Sequence, residues 1–302
     1  MGSSSVSIKD LSRSFGKVKA LDGVTLEIRE GEIFGIYGAD GAGKTTLERI
    51  LCTLLKPDSG SCSMFGLDLV RDKREIRTLI GFVPSTFSLY PDLTVEENIS
   101  FHTHMFGHPF DKDDGMIASV YRQLAPFSDR LAGKLSGGMK QKLALCCALV
   151  HKPEVLFLDE PTTGVDAVSR KEFWAMLARI KDSGVTIFVS TPYMDEAGLC
   201  DHIALILDGR IIDKGTPEEI KARYPHRLYA VKGENMFKIL GTLRPMEGVI
   251  LCSSFGCECH VAVGDDGPDA AALLSALEDA GMKGCSVEEI TAGIEDCFIG
   301  LS

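Results

Sequence analysis

The strongest constraint on how this chain can fold is the stretch Gly38-Ala39-Asp40-Gly41-Ala42-Gly43-Lys44-Thr45. It fits G-x-x-x-x-G-K-[ST] at every fixed position, follows the apolar run EIFGIY at residues 32–37, and opens a helical stretch over residues 44–54. A strand, a glycine-rich turn and a helix in that order curl the backbone so that its N–H groups point inward. Those donors and the helix N-terminus make a site for negative charge. Gly38, Asp40, Gly41, Ala42, Gly43, Lys44, Thr45 and Thr46 are therefore the candidate phosphate-binding set. Lys44 has the reach for β- and γ-phosphates, and the Thr45 hydroxyl can bind Mg²⁺. The bland alternative is a glycine-rich turn without chemistry; the flanking strand and helix argue against it.

A fold follows from the same pattern. Short apolar runs at 154–158 (EVLFL), 186–190 (TIFVS) and 203–207 (IALIL) have the composition of strands covered on both faces. Helical stretches lie between such runs, beginning at Thr94 and at Ser136, and strands read at 6–11, 24–28 and 79–83 precede them. Alternation of this kind predicts an α/β fold with a mainly parallel sheet. The run at 156–158 delivers Asp159 to the carboxyl end of a buried strand, where open sheets bind ligands. A carboxylate there can hold Mg²⁺ through water, and Glu160 is placed to polarise an attacking water as general base. An apolar strand ending in solvated acids is the alternative; the phosphate loop on the same chain favours the catalytic reading.

A third element gives the pattern a family. Leu135-Ser136-Gly137-Gly138-Met139, followed by a helix and lying 23 residues before Asp159, resembles the signature of ATP-binding-cassette (ABC) ATPases. The physical logic is a second phosphate-binding helix start, with Ser136, Gly137 and Gly138 as donors; a plain N-cap serine is the alternative. The resemblance covers about residues 5–220. It implies a P-loop NTPase ABC cassette with an antiparallel β part and a helical subdomain at about 86–150. It also implies ATP and Mg²⁺ as ligands, with Lys44 and Glu160 catalytic and Thr45 and Asp159 at the metal. By the same resemblance Phe15 stacks on adenine, the alternative being an ordinary core aromatic. Gly164-Val165-Asp166 looks like the loop that meets a partner cassette, and residues 86–110 like the region that receives a membrane subunit. Signature and phosphate loop of opposite cassettes would share each nucleotide across a head-to-tail dimer. The combination is most similar to subunits of ABC-2 type exporters, including drug-efflux and tandem-cassette pumps. That implies a cytoplasmic chain held at the inner membrane face through permease subunits.

Two positions depart from the family. Its glutamine after residues 81–84 (GFVP) is Ser85 here, a shorter side chain that needs a bridging water to reach a metal. Its histidine after Val189-Ser190-Thr191 is Pro192, which has no side-chain donor and no N–H. Tyr193 is adjacent, but neighbours on an extended chain face opposite ways. The expected assembly is asymmetric. This chain binds Mg-ATP, hydrolyses it slowly in its own site, and lends its signature to an intact second cassette; a homodimer and a non-hydrolysing regulatory partner are the alternatives.

Composition narrows the functions further. Lys plus Arg number 32 against 43 Asp plus Glu, a net charge of −11, which argues against broad binding to nucleic acid or anionic lipid. Only 115 residues separate Lys44 from Asp159, too few for the long coiled-coil insertions of chromosome-organising cassettes. No apolar run approaches the ~18–20 residues of a membrane span. The opening MGSSSVSIKD lacks the apolar segment of a secretory signal. Residues 225–302 hold 5 Lys/Arg against 12 Asp/Glu and half of the 10 cysteines. That shift predicts a boundary at Tyr224-Pro225 and a separate domain. Its order there, strand, helix, strand, strand, helix, strand, predicts a small ferredoxin-like α+β accessory domain with a closing helix at 293–299. The thiols read as reduced and buried. Cys252, Cys257, Cys259 and His260 match no standard zinc spacing, and strand alternation sends Cys259 and His260 to opposite faces.

Overall fold

A computed structural model describes residues 4–113 and 115–301; Met1-Gly2-Ser3, the first residues of the opening stretch that lacks a secretory-signal pattern, lie outside these, as do Asp114 and Ser302. The chain forms two compact units, residues 1–217 and 218–302. The division falls after the first residue of a short helix, Pro217–Ala222, that composition alone leaves with the first domain.

The first unit is built on two sheets. Strands β1 (Ser4–Phe15), β2 (Val18–Arg29), β4 (Ser59–Met64) and β5 (Leu67–Asp68) form an antiparallel sheet in the order β2-β1-β4-β5. Strands β3 (Ile33–Tyr37), β6 (Ile80–Val83), β7 (Val155–Asp159), β8 (Thr186–Thr191), β9 (His202–Leu207) and β10 (Arg210–Gly215) form the second sheet, in the order β10-β9-β3-β8-β7-β6. All its pairings are parallel except that of the edge strand β10 with β9. Every residue of β3, β7 and β8 is buried, as strands covered on both faces require.

Helix α1 (Lys44–Leu51) leaves the end of β3 and lies between the sheets. Its Leu47, Ile50 and Leu51 share one core with Val6, Ile8 and Leu26 of the antiparallel sheet and Phe157 and Phe188 of the parallel one. The helix stops at Leu51, three residues short of the sequence expectation; Cys52 N–H bonds back to Glu48 O and Thr53 takes a positive φ of 58°. After α2 (Lys73–Leu79) and β6, a helical part follows: α3 (Val95–Phe106), α4 (Gly115–Leu124) and α5 (Gly137–Leu149). Thr94 and Glu97 close a reciprocal capping box at the start of α3. Helix α6 (Ala167–Asp182) returns to the sheet between β7 and β8.

The second unit contains most of α7 (Pro217–Ala222) and the strands β11 (Arg227–Lys232), β12 (Val249–Phe255), β13 (Glu258–Val263) and β14 (Ser286–Ile290), with helices α8 (Met236–Leu243), α9 (Ala270–Asp279) and α10 (Ile294–Leu301). The strands are wholly antiparallel in the order β12-β13-β11-β14, the split arrangement expected from the element order. Helices α8 and α9 pack Ile239, Leu243, Leu273 and Leu277 on one sheet face, against Tyr229, Val231, Cys259 and Val261. His260 alternates to the other face, where its Nδ1 lies 2.7 Å from Asp296 Oδ1 of α10. No helix among the described residues is long and apolar enough to cross a membrane.

Candidate functional site

The phosphate loop is held open by close backbone packing that only glycine permits at two points. A Cβ on Gly38 would lie 2.3 Å from Ile206 O, and one on Gly43, at φ 110°, 2.4 Å from Ala20 O. Gly41 also takes a positive φ, 81°, but into open space, so conformation and not crowding requires glycine there. Ala42 N–H closes a turn to Ala39 O at 3.1 Å, and Asp40 stands exposed at the rim. Gly43 caps α1 without a side-chain acceptor, which leaves the first-turn N–H groups free to face an anion. Thr46, in that first turn, is partly buried.

Lys44 folds back over the loop. It is only 4% exposed, and its Nζ donates to Gly38 O at 2.8 Å and Ala39 O at 3.1 Å. Glu160 Oε1 lies 3.6 Å from the same nitrogen. Glu160 occupies a positive φ of 49°, uncommon for a residue with a side chain; its N–H donates to Ser190 O. Strand β7 thus delivers Asp159 and Glu160 into contact with the loop that leaves β3.

Asp159 is the hub. Thr45 Oγ1 donates to its Oδ1 at 3.0 Å, and Ser85 Oγ donates to its Oδ2 at 3.2 Å. Serine at position 85 therefore reaches the aspartate directly, without an intervening water. Ser190 Oγ lies 3.0 Å from Asp159 Oδ1 and 3.1 Å from Glu48 Oε2. One hydroxyl hydrogen cannot serve two carboxylates, so a further proton belongs on the acids. Burial, then the neighbouring Asp159, pushes the Glu48 carboxyl well above its ordinary range, which puts that proton on Glu48. Glu48 Oε1 is buried with no hydrogen-bond partner. Reading the sequence for motifs overlooked this residue; the available signal was an acid at a helix position flanked by the buried Leu47, Ile50 and Leu51.

The strand beside β7 ends differently. Thr191 Oγ1 and Thr162 Oγ1 both donate to the buried Glu196 Oε2, at 3.0 and 3.1 Å, which ties the loop after Glu160 to the turn after β8. Pro192 stands between, with nothing to donate. Tyr193 does not take over: its ring faces α6, with the Arg170 guanidinium 5.0 Å from the ring centre.

The remaining predicted residues lie outside this network. Ser136 caps α5, its Oγ accepting Met139 N–H at 3.3 Å, and is exposed together with Gly137. Gly138 is packed so tightly on α6 that a Cβ would lie 2.9 Å from Ser169 Cβ. Gly164, Val165 and Asp166 adjoin it: Val165 Cγ1 lies 3.7 Å from that Cβ position, and Asp166 caps α6 through Val168 and Ser169 N–H. No hydrogen bond joins Ser136 to the phosphate loop among the described residues. Phe15 sits at the tip of the β1–β2 hairpin, 50% exposed, with Arg13 over its ring; burial therefore rejects the core-aromatic alternative. Ala20 of the same hairpin underlies Gly43. Among the described residues no cluster of three His, Cys, Asp or Glu is placed to hold a metal ion, which includes the cysteines of the second unit.

Comparison with known proteins gives this geometry its context. Residues 21–163 match the family model described as ABC transporter. The chain is 39% identical over 224 residues to the probable multidrug ABC transporter ATP-binding protein YbhF of Escherichia coli (strain K12), covering 74% of this chain and 39% of that protein. It is 32% identical over 303 residues to the Nod factor export ATP-binding protein I of Ralstonia nicotianae, covering 98% of this chain and 93% of that one. A dimeric ATP-binding cassette solved in a post-hydrolysis state with ADP and Pi superposes with a TM-score of 0.62 at 26% identity, over 70% of this chain and 98% of that chain. The chain spans well under half of the first relative and nearly all of the second. It belongs to the ABC transporter family as an ATP-binding cassette, of the ATPase type, and its relatives' names match the exporter likeness expected from the sequence.

Proposed function

We propose that this cassette binds Mg-ATP at the loop 38–45 and works as a motor subunit of an exporter whose membrane-spanning part is a separate chain. The observation that carries the proposal is the convergence of Lys44, Thr45, Asp159 and Glu160 in one contact network at the strand ends. In that reading Lys44 exchanges its carbonyl partners for the β- and γ-phosphates. Thr45 and Asp159 hold Mg²⁺, the aspartate through water, and Glu160 polarises the attacking water. Gly38, Asp40, Gly41, Ala42, Gly43 and Thr46 line the phosphates and Phe15 supports the base. Ser136, Gly137 and Gly138 clasp the nucleotide of a second cassette. ATP closes the two cassettes, and hydrolysis with release reopens them.

A groove in the first unit supports the membrane partner. A cavity of about 230 Å³ is lined by Phe82, Leu89, His102, Met105, Phe106 and His151, between β6, α3 and α5. Tyr90, Phe101 and Met105 are exposed beside it, an apolar surface suited to a short segment of a permease. No nucleic-acid role follows from a net charge of −11. The chain then works on the cytoplasmic face of the membrane.

Its own site turns over slowly in this proposal, because Pro192 removes one preorganised contact, commonly worth ~10²–10³ in rate. An intact second cassette, completed by this chain's signature, does most of the hydrolysis; heterodimer is thus preferred to homodimer. The test is ATPase turnover of the purified chain, alone and with its transporter partners, before and after Pro192→His. The expected outcome is a slow rate that histidine raises at least ~10-fold once dimer formation is verified. Brisk turnover by the unaltered homodimer rejects the slow site. The same two positions, Ser85 and Pro192, favour a second reading, a nucleotide-binding regulatory partner that never hydrolyses. Single-turnover hydrolysis by the assembled complex carrying Lys44→Ala separates the two: a regulatory chain leaves the catalytic count unchanged.

A further inference from the structure

We propose that Cys252 and Cys259 form an oxidisable dithiol site in the second unit, at which a peroxide is reduced and a reversible disulfide closes. The two Sγ atoms lie 3.2 Å apart. Cys252 on β12 opposes Val261, and Cys259 on β13 opposes Ser254, so the cysteines are diagonal neighbours on one sheet face. Both face the core; Cys252 is 4% exposed and Cys259 fully buried. The register shift between Val249 and Leu251 bends β12 just before Cys252, and bulges of this kind sharpen the local twist. A disulfide spans ~2.05 Å, so the sulfurs need to close by about 1.2 Å, within the reach of small side-chain rotations.

The surroundings favour an electron-donating thiol over a metal ligand set. His260, the nearest nitrogen in sequence, is on the opposite sheet face between Asp296 and Glu258, and no three-residue ligating cluster occurs among the described residues. The hydrogen bond with Cys259 lowers the Cys252 thiol against the opposing effect of burial, with a smaller lowering from the Arg244 guanidinium, while the same hydrogen bond and burial raise Cys259. Arg244 is anchored by donating from Nε to Cys252 O at 2.9 Å. Cys252, the thiol of the pair that keeps some exposure and the one whose backbone anchors Arg244, is the nucleophile and Cys259, fully buried behind it, the resolving thiol. In the first step the Cys252 thiolate attacks hydrogen peroxide: an S–O bond forms, the O–O bond breaks, and hydroxide leaves as water with the thiol proton. In the second, Cys259 sulfur attacks that sulfenic sulfur: the S–S bond forms, the S–O bond breaks, and hydroxide leaves as water with the Cys259 proton. Two electrons pass from the thiols to the peroxide, and a dithiol reductant reverses the change. Cys257, exposed on the β12–β13 turn, has no part in the reaction.

The experiment uses the full chain treated with hydrogen peroxide, denatured, alkylated with iodoacetamide and cut with trypsin. Residues 239–283 make one tryptic peptide, because Arg244 precedes Pro245, and it holds Cys252, Cys257 and Cys259 alone. The expected result is loss of two of its three alkylatable thiols, restored by dithiothreitol. Fragmentation places the crosslink between Cys252 and Cys259. Cys257→Ser keeps the crosslink; Cys252→Ser and Cys259→Ser each abolish it. Three alkylated thiols after peroxide, a crosslink that includes Cys257, or oxidation to sulfinic acid without a crosslink overturns the proposal. The unaltered chain alone decides between these, so no variant needs to fold.

Discussion

The first unit buries Lys44, Glu48, Asp159, Ser190 and Glu196 within two neighbouring networks, and several of their atoms are shared or left without a partner. The second unit's inward sheet face carries apolar side chains and thiols, and its buried acid, Asp296, is fully engaged by His260 and Gly293 N–H. The contrast separates two uses of burial. A polar group that is satisfied within its own unit contributes to a unique packing. One that is over-committed or unpaired costs stability, and such sites are where ligands complete the pairing. The first unit thus leaves a buried acid oxygen, Glu48 Oε1, without a hydrogen bond beside the phosphate loop, while among the described residues of the second unit the buried orphan is a phenol, Tyr224 Oη, and not an acid.

The largest test of this contrast is Lys44→Ala. It removes the cation that carbonyl oxygens hold ready beside the loop, and we expect ATP affinity to fall by at least ~100-fold, since hydrogen bonds to charged groups contribute ~1.5–3 kcal/mol each. Calorimetric titration with Mg-ATP measures it, and an unchanged affinity breaks the comparison on its first side. Next in size is His260→Ala in the second unit. Asp296 Oδ1 then stays buried without its imidazole partner, only Oδ2 keeping the Gly293 N–H, at a cost of about 3 kcal/mol in the denaturant unfolding of that unit. ATP affinity should not move; a parallel loss of nucleotide binding shows that the two units are not independent in the way described.

The smallest expected effect, and the sharpest, is at Glu48. Its folded-state carboxyl is raised above the ordinary value of 4.5, so above that pH the unfolded chain releases a proton that the folded chain keeps. Stability conferred by the neutral acid is present at low pH and lost as pH rises toward the folded value. Glu48→Gln keeps the shape and removes the titration. The variant should therefore gain on the unaltered chain between pH 5 and pH 8 by about 1–3 kcal/mol, measured without nucleotide or magnesium. A difference independent of pH places an ionised carboxylate at Glu48 and removes the proton from the description of the site.

Much of the fold was legible because apolar runs and turns are local signals. The fully buried β3, β7 and β8 announced themselves as unbroken apolar stretches, and the order of elements in the second unit led directly to its strand order. Less was legible where pairing decides the structure. Strand β4, SGSCSM, alternates only over its last four residues, where Cys62 and Met64 face the core, and its serine-rich start is held as strand by pairing with β1. The edge strand β10, RIIDKG, is held the same way by β9. Helix α1 ended early because Thr53 turned the chain, which no helix propensity predicted.

The site divides along the same line. The motif residues were readable because phosphate binding demands particular residue types at fixed spacing along one short stretch of chain. Glu48, Ser190 and Glu196 were not, because their partners come from distant strands and a solitary acid in a helix carries no spacing rule. The amino-acid sequence alone determined the phosphate loop, the acids at the end of β7, the signature serine and the two missing side chains at positions 85 and 192. Only the tertiary structure decided that Ser85 bonds Asp159, that Tyr193 faces Arg170, and that two cysteines seven positions apart bring their sulfurs together. The physical reason is range: chain chemistry specifies which groups are present, while contact between them depends on how strands are laid side by side.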